Sequence, residues 1–461
     1  MLWGEKVKDT CAVILAAGDG KRMCLGRVKI FCEVLFKPLI CWVFENCKQT
    51  GISDICLVCS KDGLGRLKDY FGSGAKYVIQ EEKLGSAHAA AQAESFLRSG
   101  GKKDVLILLG DVPFVDAKTI ADAYVFHESE KNEVTVIAAN LENPFGYGRI
   151  VDDSGRISIV EEKDATQEQR KISLVNSGAM WFRIEALLSV LDKIDNNNAS
   201  NEYYITTAVN LLSKSGCYIA SASHVILGAN TNEQLLHLNE VARGKIIAAH
   251  NQNGVEFLSE SGVVIGPEVQ IGKDTRIFQN VTLKGKCQIG ERCVITPGSF
   301  IENATIGNDC EIRASYIEDS RIADGVRIGP FAHIRPGCDI GDAVKIGNYV
   351  EIKKSVIGNA TSIAHLSYVG DCEVGSKVTF GCGSIVVNYD GKNKYKTKVE
   401  AGAFVGCNSN LISPVNIGKD SFIAAGSTIT DDVGEGDLAI ARARQVTKPG
   451  YLRQKRGNNN P

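Results

Sequence analysis

Between residues 265 and 429 an aliphatic side chain returns at about every sixth position, a period that very few folds can accommodate. Ile265, Ile271, Ile277, Leu283, Ile289, Ile295 and Ile301 share one frame. A one-residue slip leads to Ile306 and Ile312, and a further frame takes Ile322, Ile328, Ile334, Ile340, Ile346 and Ile352. Ile357, Ile363 and Val369 follow, then Val374, Phe380 and Val386, and finally Val399, Val405, Leu411, Ile417, Ile423 and Ile429. Glycine often comes next, as in IGPEVQ and IGKDTR. Such a period predicts short parallel strands stacked as a β-helix, the aliphatic residue inward and glycine or polar residues at the turns. At about three hexapeptides per coil, the run makes roughly nine coils. Its one long interruption, NYDGKNKYKTK between Val386 and Val399, is an inserted polar loop, the kind of insertion that often carries function.

The first half follows another pattern. Residues 1–250 hold 20 glycines and the shorter remainder holds 27. Apolar runs at 12–17, 105–109 and 134–138 read as buried strands, and helical periodicity lies between them, as in 87–97. This alternation predicts an open, mostly parallel α/β sheet with helices on both faces, whose ligands sit beyond the carboxyl ends of the strands. Leu235, Leu238, Val241 and Ile246 recur at helical spacing before Asn253 and Gly254 break the pattern. The expected organisation is an α/β domain over 1–229, a connecting helix over 230–252 and the β-helix over 253–461.

At 461 residues the chain is too long for one core, and 52 basic against 54 acidic residues leave a net charge of −2. That balance excludes a dominant nucleic-acid footprint or a polybasic membrane anchor. MLWGEKVKDT lacks the features of a signal peptide, and no apolar run is long enough to span a bilayer. Fifteen cysteines are spread along the chain without a disulfide-scaffold pattern, so reduced thiols and a cytoplasmic location are expected. The single CxxC, Cys56 to Cys59, sits in an apolar run and has no second ligand pair, which makes these residues buried hydrophobes.

Two clusters of residues carry chemistry. In LAAGDGKRM, a strand running into Gly18 and Gly20 lets backbone N–H groups approach phosphates, with Arg22 and Lys29 to neutralise charge. Met23 stands where a dinucleotide fingerprint has its third glycine, and the GxxxxGK[ST] pattern is absent. Asp111, just past an aliphatic strand, suits a hard cation shared with substrate phosphates. In the second half, His365 accompanies Arg335, Lys353, Tyr368 and Lys394 at separations near one coil. Basic residues suit a sugar phosphate, and an imidazole can take a proton from an amine near neutral pH.

These segments have a wider resemblance. LAAGDGKRM, GDVP (110–113), GYGRI (146–150), VEEKDAT (160–166), VNSG (175–178) and NEYYIT (201–206) resemble a sugar-nucleotide pyrophosphorylase domain. With IGPFAHIRPG, GNYVEIKKS, AHLSYVGD and VNYDGKNKYKT they run collinearly from about residue 11 to 448. The ordered set resembles the bacterial family of bifunctional N-acetylglucosamine-1-phosphate uridyltransferases and glucosamine-1-phosphate acetyltransferases. The resemblance implies a Rossmann-like nucleotidyltransferase domain followed by a left-handed parallel β-helix, in a homotrimer whose acetyl-CoA site is assembled from neighbouring chains. It implies Mg²⁺ as cofactor, held by Asp111 and Asn230, and UTP, acetyl-CoA, glucosamine 1-phosphate and N-acetylglucosamine 1-phosphate as substrates. Leu15, Ala17, Gly18, Gln80, Gly85 and Ser86 would contact uridine. Gly148, Asn176 and either Glu162 or its neighbour Glu161, which aligned positions favour, would bind the sugar. Lys29 and Arg22 would stabilise phosphates, and His365 would be the general base of acetyl transfer. Arg335, Lys353, Tyr368, Asn388 and Lys394 would hold glucosamine 1-phosphate, with Cys382, Tyr389, Cys407, Ala425 and Arg442 along acetyl-CoA. The alternative is a single-function nucleotidyltransferase whose β-helix only trimerises. Departures from the family pattern are Val28, Lys83, Thr207, Thr379 and Cys407, which bear on efficiency more than on reaction class.

Overall fold

The computed structural model describes residues 7–18, 28–153 and 155–457, so Arg22 and Gly20 lie outside the described residues. The chain forms two compact units, Met1–Gly244 and Lys245–Pro461, and the division falls inside one helix, Asn232–Gln252.

The first unit is built on a nine-stranded sheet: β1 (Thr10–Ala16), β2 (Ile55–Cys59), β3 (Lys76–Ile79), β4 (Asp104–Leu109), β5 (Val134–Asn140), β6 (Arg149–Asp153), β7 (Arg156–Val160), β8 (Leu174–Arg183) and β9 (Ser215–Ile219). Their order is β9-β5-β8-β4-β1-β2-β3, with the β6–β7 hairpin attached to β8. Every pair along that order is parallel except those made by β8, which runs antiparallel to β4 and β5. The strands read as unbroken apolar runs because helices cover both faces. Val13, Val105 and Met180 pack on one side, with Ala12, Leu106 and Trp181 on the other. The CxxC pair lies within β2, fully buried, and burial pushes the Cys56 thiol up to about 12. The 87–97 periodicity resolves into two short helices, Ser86–Gln92 and Glu94–Ser99.

The second unit is a three-sided rod of hexapeptide repeats. Three parallel sheets of eleven, ten and nine strands form its walls, each strand pairing with the strand three further along the chain. We call the sheets beginning at Glu256, Val264 and Gln270 walls 1, 2 and 3. Of the aliphatic residues that mark the period, only Ile271 is less than fully buried. The frame also contains Ile317, buried and absent from the sequence reading. Two successive five-residue steps, from Ile312 to Ile317 and on to Ile322, hide it from a search for sixes. Phe300 accordingly pairs with Tyr316, a coil of 16 residues where most take 17 or 18. At the inner corners a second row of small buried residues precedes each strand, including Thr275, Cys293, Ser355, Thr361 and Ser409. Their hydroxyls and thiols donate to backbone carbonyls of the same or the next coil, as Thr275 does to Gly290 at 2.8 Å and Cys293 to Gly307 at 3.1 Å. The inserted loop lengthens one coil, so Cys372 pairs with Thr397, 25 positions on, whereas Val356 pairs with Glu373 after 17.

Candidate active sites

The carboxyl ends of β1 and β4 lie side by side. The Gly110 N–H donates to the Leu15 carbonyl at 2.9 Å, so Asp111 emerges beside Ala17 and Gly18. The next segments close a cavity of about 490 Å³ over this edge. It is lined by Leu15, Ala17, Gly18, Lys29, Gln80, Gly85, Ser86, Asp111 and Asn230, all named by the sequence reading, and also by Ile30, Lys83, Ala89, Leu109 and Glu202. Gln80 follows β3 and turns its side-chain amide onto the Gly85 carbonyl at 3.2 Å. Gly85 has φ of +125°, and a Cβ there would lie 2.5 Å from the Tyr203 carbonyl oxygen, so only glycine lets the two segments pass. Ser86 then opens a helix and accepts the Ile205 N–H at 2.9 Å, tying the cavity rim to the NEYYIT segment.

Buried Lys29 stands at the centre. Its ammonium contacts the Asp111 carboxylate and donates to the Asn230 side-chain oxygen at 2.7 Å. The Ala229 N–H donates to the Asp111 carbonyl at 3.2 Å, which pins the Asn230 segment beside the β4 end. Two hard oxygens thus converge on one cationic point, the donor set a divalent cation takes when substrate phosphates complete its shell. Among the described residues no cluster of three or more His, Cys, Asp or Glu forms a larger metal site. Tyr147, half-buried, was missed by the sequence reading. Burial pushes its phenol up, the Gly228 N–H donating to it works against that shift, and nearby Asp111 adds to it.

Gly148, Glu161 and Asn176 come together next to one another. The Asn176 N–H donates to the Gly148 carbonyl at 2.9 Å, and a Cβ on Gly148 would lie 3.3 Å from the Glu161 carboxylate. Burial raises the Glu161 pKa above the usual carboxylate value, against the Thr206 hydroxyl that donates to it at 2.8 Å. Its neighbour Glu162 is occupied otherwise. Desolvation opposes its ionisation, but the Gly146 N–H and the Arg149 guanidinium at 2.6 Å outweigh that and hold its pKa low.

In the rod, His365 is exposed on the edge between walls 1 and 2, not sealed in the core. Its Nδ1 is 2.6 Å from the side-chain oxygen of Asn348, which pairs with it one coil below. That bond fixes Nδ1 as the protonated nitrogen and leaves Nε2 as the acceptor. Asn348 was not foreseen. The same edge carries Cys382, Cys407 and Ala425 on successive coils. The residue after each one donates its N–H to the residue below: Gly383 to His365 at 3.3 Å, Asn408 to Cys382 at 2.8 Å and Gly426 to Cys407 at 2.8 Å. The Arg442 side chain lies across Gly426, 3.7 Å from where a Cβ would stand. Tyr389 is not on this edge. It belongs to the inserted loop at the far side of wall 2, bridged to Lys394, with Asp390 accepting the Lys392 and Asn393 N–H groups.

That far side is basic. Arg335 and Lys353 occupy successive coils, as their 18-residue separation predicts. Tyr368 is on the next coil again, as expected, but two residues out of register: it pairs with Glu351, and Gly370 pairs with Lys353. Gly370 gives the Tyr368 ring room to lie across the wall, since a Cβ there would stand 2.3 Å from the phenol oxygen. Lys394 reaches so close to Lys353 that the Lys353 pKa falls below its ordinary value, with desolvation and Arg335 adding and Asp371 opposing. Glu351 pairs with Arg335 at 2.8 Å and raises its pKa, and Asp371 accepts the Asn388 amide at 2.5 Å. Two ammonium groups and a guanidinium facing one spot make a site for a dianion.

Comparison with known proteins fits both halves. The family described as Nucleotidyl transferase matches residues 11–221, and Bacterial transferase hexapeptide (six repeats) matches 262–303 and 319–354. A Bifunctional protein GlmU of Geobacillus sp. (strain WCH70) is 44% identical, the match covering 96% of this chain and 97% of that one. The chain belongs to the GlmU family. Members from Acetivibrio thermocellus (44% identical, 96% of this chain and 99% of that one) and Clostridium beijerinckii (43%, 96% and 98%) match over the same extent. As a member of that family, the chain is a bifunctional enzyme of UDP-N-acetylglucosamine synthesis, a uridyltransferase and a glucosamine-1-phosphate acetyltransferase, with a nucleotidyltransferase domain followed by a left-handed β-helix. The family's chemistry implies a divalent metal and UTP, acetyl-CoA and sugar-phosphate substrates. Among the described residues no helix is long and apolar enough to cross a membrane.

Proposed function

We propose that the two reactions are divided between the cavity beyond β1 and β4 and the wall of the rod. In the cavity, an oxygen of N-acetylglucosamine 1-phosphate attacks the α-phosphorus of UTP and pyrophosphate leaves. Such a step needs positioning and charge neutralisation rather than a covalent nucleophile. Leu15, Ala17, Gly18, Gln80, Gly85 and Ser86 hold the nucleotide, Gly148, Glu161 and Asn176 the sugar, and Lys29 and Arg22 the phosphates. Asp111 and Asn230 would hold Mg²⁺, which when bound offsets triphosphate charge. The convergence of their oxygens on the Lys29 ammonium supports this assignment.

On the rod, the amine of glucosamine 1-phosphate attacks the acetyl carbonyl of acetyl-CoA. His365 Nε2 takes the amine proton and the CoA thiol departs. Arg335, Lys353 and Lys394 hold the phosphate, with Tyr368 and Asn388 beside them, while Cys382, Cys407, Ala425 and Arg442 line the CoA path. One observation carries this reading above the rest: an exposed histidine, oriented by Asn348, at one edge of wall 2, with a cluster of three cations at the opposite edge. The remoteness of Tyr389 from the His365 edge supports a homotrimer in which a neighbouring chain completes the CoA site. Free thiols at all 14 described cysteines support a reducing, cytoplasmic setting. The working domains are 1–229 and 253–461, joined by 230–252. Purified protein with Mg²⁺, UTP, glucosamine 1-phosphate and acetyl-CoA should release CoA and pyrophosphate together. Pyrophosphate release without CoA, when glucosamine 1-phosphate is the only sugar supplied, would overturn the assignment.

A further inference from the structure

The second unit holds seven cysteines, and they fall into two classes. Cys287, Cys293, Cys310, Cys338 and Cys372 are buried, and the first four donate their thiols to backbone carbonyls. Such thiols take the place of serine at the inner corners, and solvent does not reach them. Cys382 is half-buried, Cys407 is exposed, and neither thiol makes a hydrogen bond. These two stand directly above one another on the outer edge of the rod. Their register is fixed on both sides, by the Phe380–Val405 pair before them and by the Asn408 N–H donating to the Cys382 carbonyl at 2.8 Å after them. In-register residues on adjacent parallel strands lie about 4.8 Å apart. A disulfide joins residues whose Cα atoms are roughly 4.4–6.8 Å apart, so the spacing admits the bond. Gly381, Gly383 and Gly406 flank the pair, so few side chains crowd the thiols. His365 is the next residue along the same edge, one coil from Cys382.

We propose that Cys382 and Cys407 form a two-thiol modification site, open to small-molecule disulfides, whose oxidation shuts the acetyl-transfer edge. The functional consequence rests on the assignment of that edge to acetyl-CoA; the chemistry of the pair does not. The Cys407 thiolate attacks one sulfur of a low-molecular-weight disulfide, forms a mixed disulfide and expels the first small thiol. The Cys382 thiolate then attacks the Cys407 sulfur, the intrachain S–S bond forms and the second small thiol leaves. The two protons lost by the cysteines end on the two released thiols, and the small disulfide is the species reduced. The bond clamps together the two coils beside His365, along the path where the thioester would lie.

The test uses the full-length protein and 2,2′-dithiodipyridine, which releases one coloured pyridinethione per attack. The expected result is a Cys382–Cys407 linked peptide by mass spectrometry, with two pyridinethiones released from this site per chain. N-acetylglucosamine 1-phosphate formation, followed by product mass, should fall at least tenfold and return after dithiothreitol, while pyrophosphate release from UTP holds. Cys382→Ala should strand the thiopyridyl adduct on Cys407, and this site then releases one pyridinethione. Each variant is compared with its own untreated state. Absence of the linked peptide in a protein whose reduced form acetylates normally overturns the proposal, as does full acetyl transfer in a fully linked sample. A linked peptide in a protein that never acetylates would instead overturn the acetyl-CoA assignment and leave the dithiol site standing.

Discussion

Lys29 is held by partners 82 and 201 positions away in sequence, whereas His365 is held by one 17 positions away. The first site is a concavity assembled from distant segments at the ends of parallel strands, with its key cation buried. The second is an open wall on which one coil of sequence is one step in space. A twisted sheet thus gathers its functional groups by topology, and a solenoid gathers them by counting. The cavity can screen its charges from water, whereas the wall gathers several like charges in the open.

Variants sharpen that contrast. His365→Ala should lower acetyl transfer by about 10³-fold, the scale of a lost general base, while uridylyl transfer in the other unit holds. CoA release and pyrophosphate release, assayed separately, read the split. Asp111→Asn should do the reverse, with uridylyl transfer down on the order of 10²-fold and more Mg²⁺ needed for half-saturation. Comparable loss of both activities in either variant would erase the division of labour. Asn348→Ala removes one hydrogen bond from His365, and acetyl transfer should fall by about tenfold, with a changed pH profile of kcat/KM.

Two pH effects are smaller and opposite in sign. Burial raises the Glu161 pKa, so the carboxylate proposed to accept sugar hydroxyls protonates, as pH falls, at a higher pH than an ordinary glutamate. The KM for N-acetylglucosamine 1-phosphate should rise on that acid limb, and Glu161→Gln should show no such limb. Lys394 lowers the Lys353 pKa, so the proposed phosphate site loses a charge as pH rises, earlier than an ordinary lysine would allow. The KM for glucosamine 1-phosphate should climb by a few-fold on the alkaline side, and Lys394→Gln should move that climb to higher pH.

Much of the rod was legible because its period is chemical as well as geometric: isoleucine, leucine and valine recur. The inner-corner row was not, since Thr275, Cys293, Ser355 and Ala403 share only small size, which no hydropathy pattern reports. Ile317 escaped because two short steps broke the count. Asn348, Glu351 and Asp371, the partners of His365, Arg335 and Asn388, lie on coils whose exact lengths decide who faces whom. In the sheet domain, Asp111 was visible as a carboxylate past an aliphatic strand. Nothing local announced that Glu202 or Tyr147 would join it, because their proximity comes from the antiparallel β8 and the segments around it. Family resemblance, not spacing, brought in Gln80, Gly85 and Ser86.

Each rung of the rod pairs only with the rungs directly before and after it. Gln270 and Gln288 occupy equivalent places on wall 3, 18 residues apart. Excising residues 270–287 would therefore shorten the prism by one storey, about 4.8 Å, and rejoin like to like. The storeys around Asn348 and His365, to which acetyl transfer is assigned in our proposal, would keep their neighbours, and height becomes a quantity that deletion or duplication can adjust without redesigning that floor.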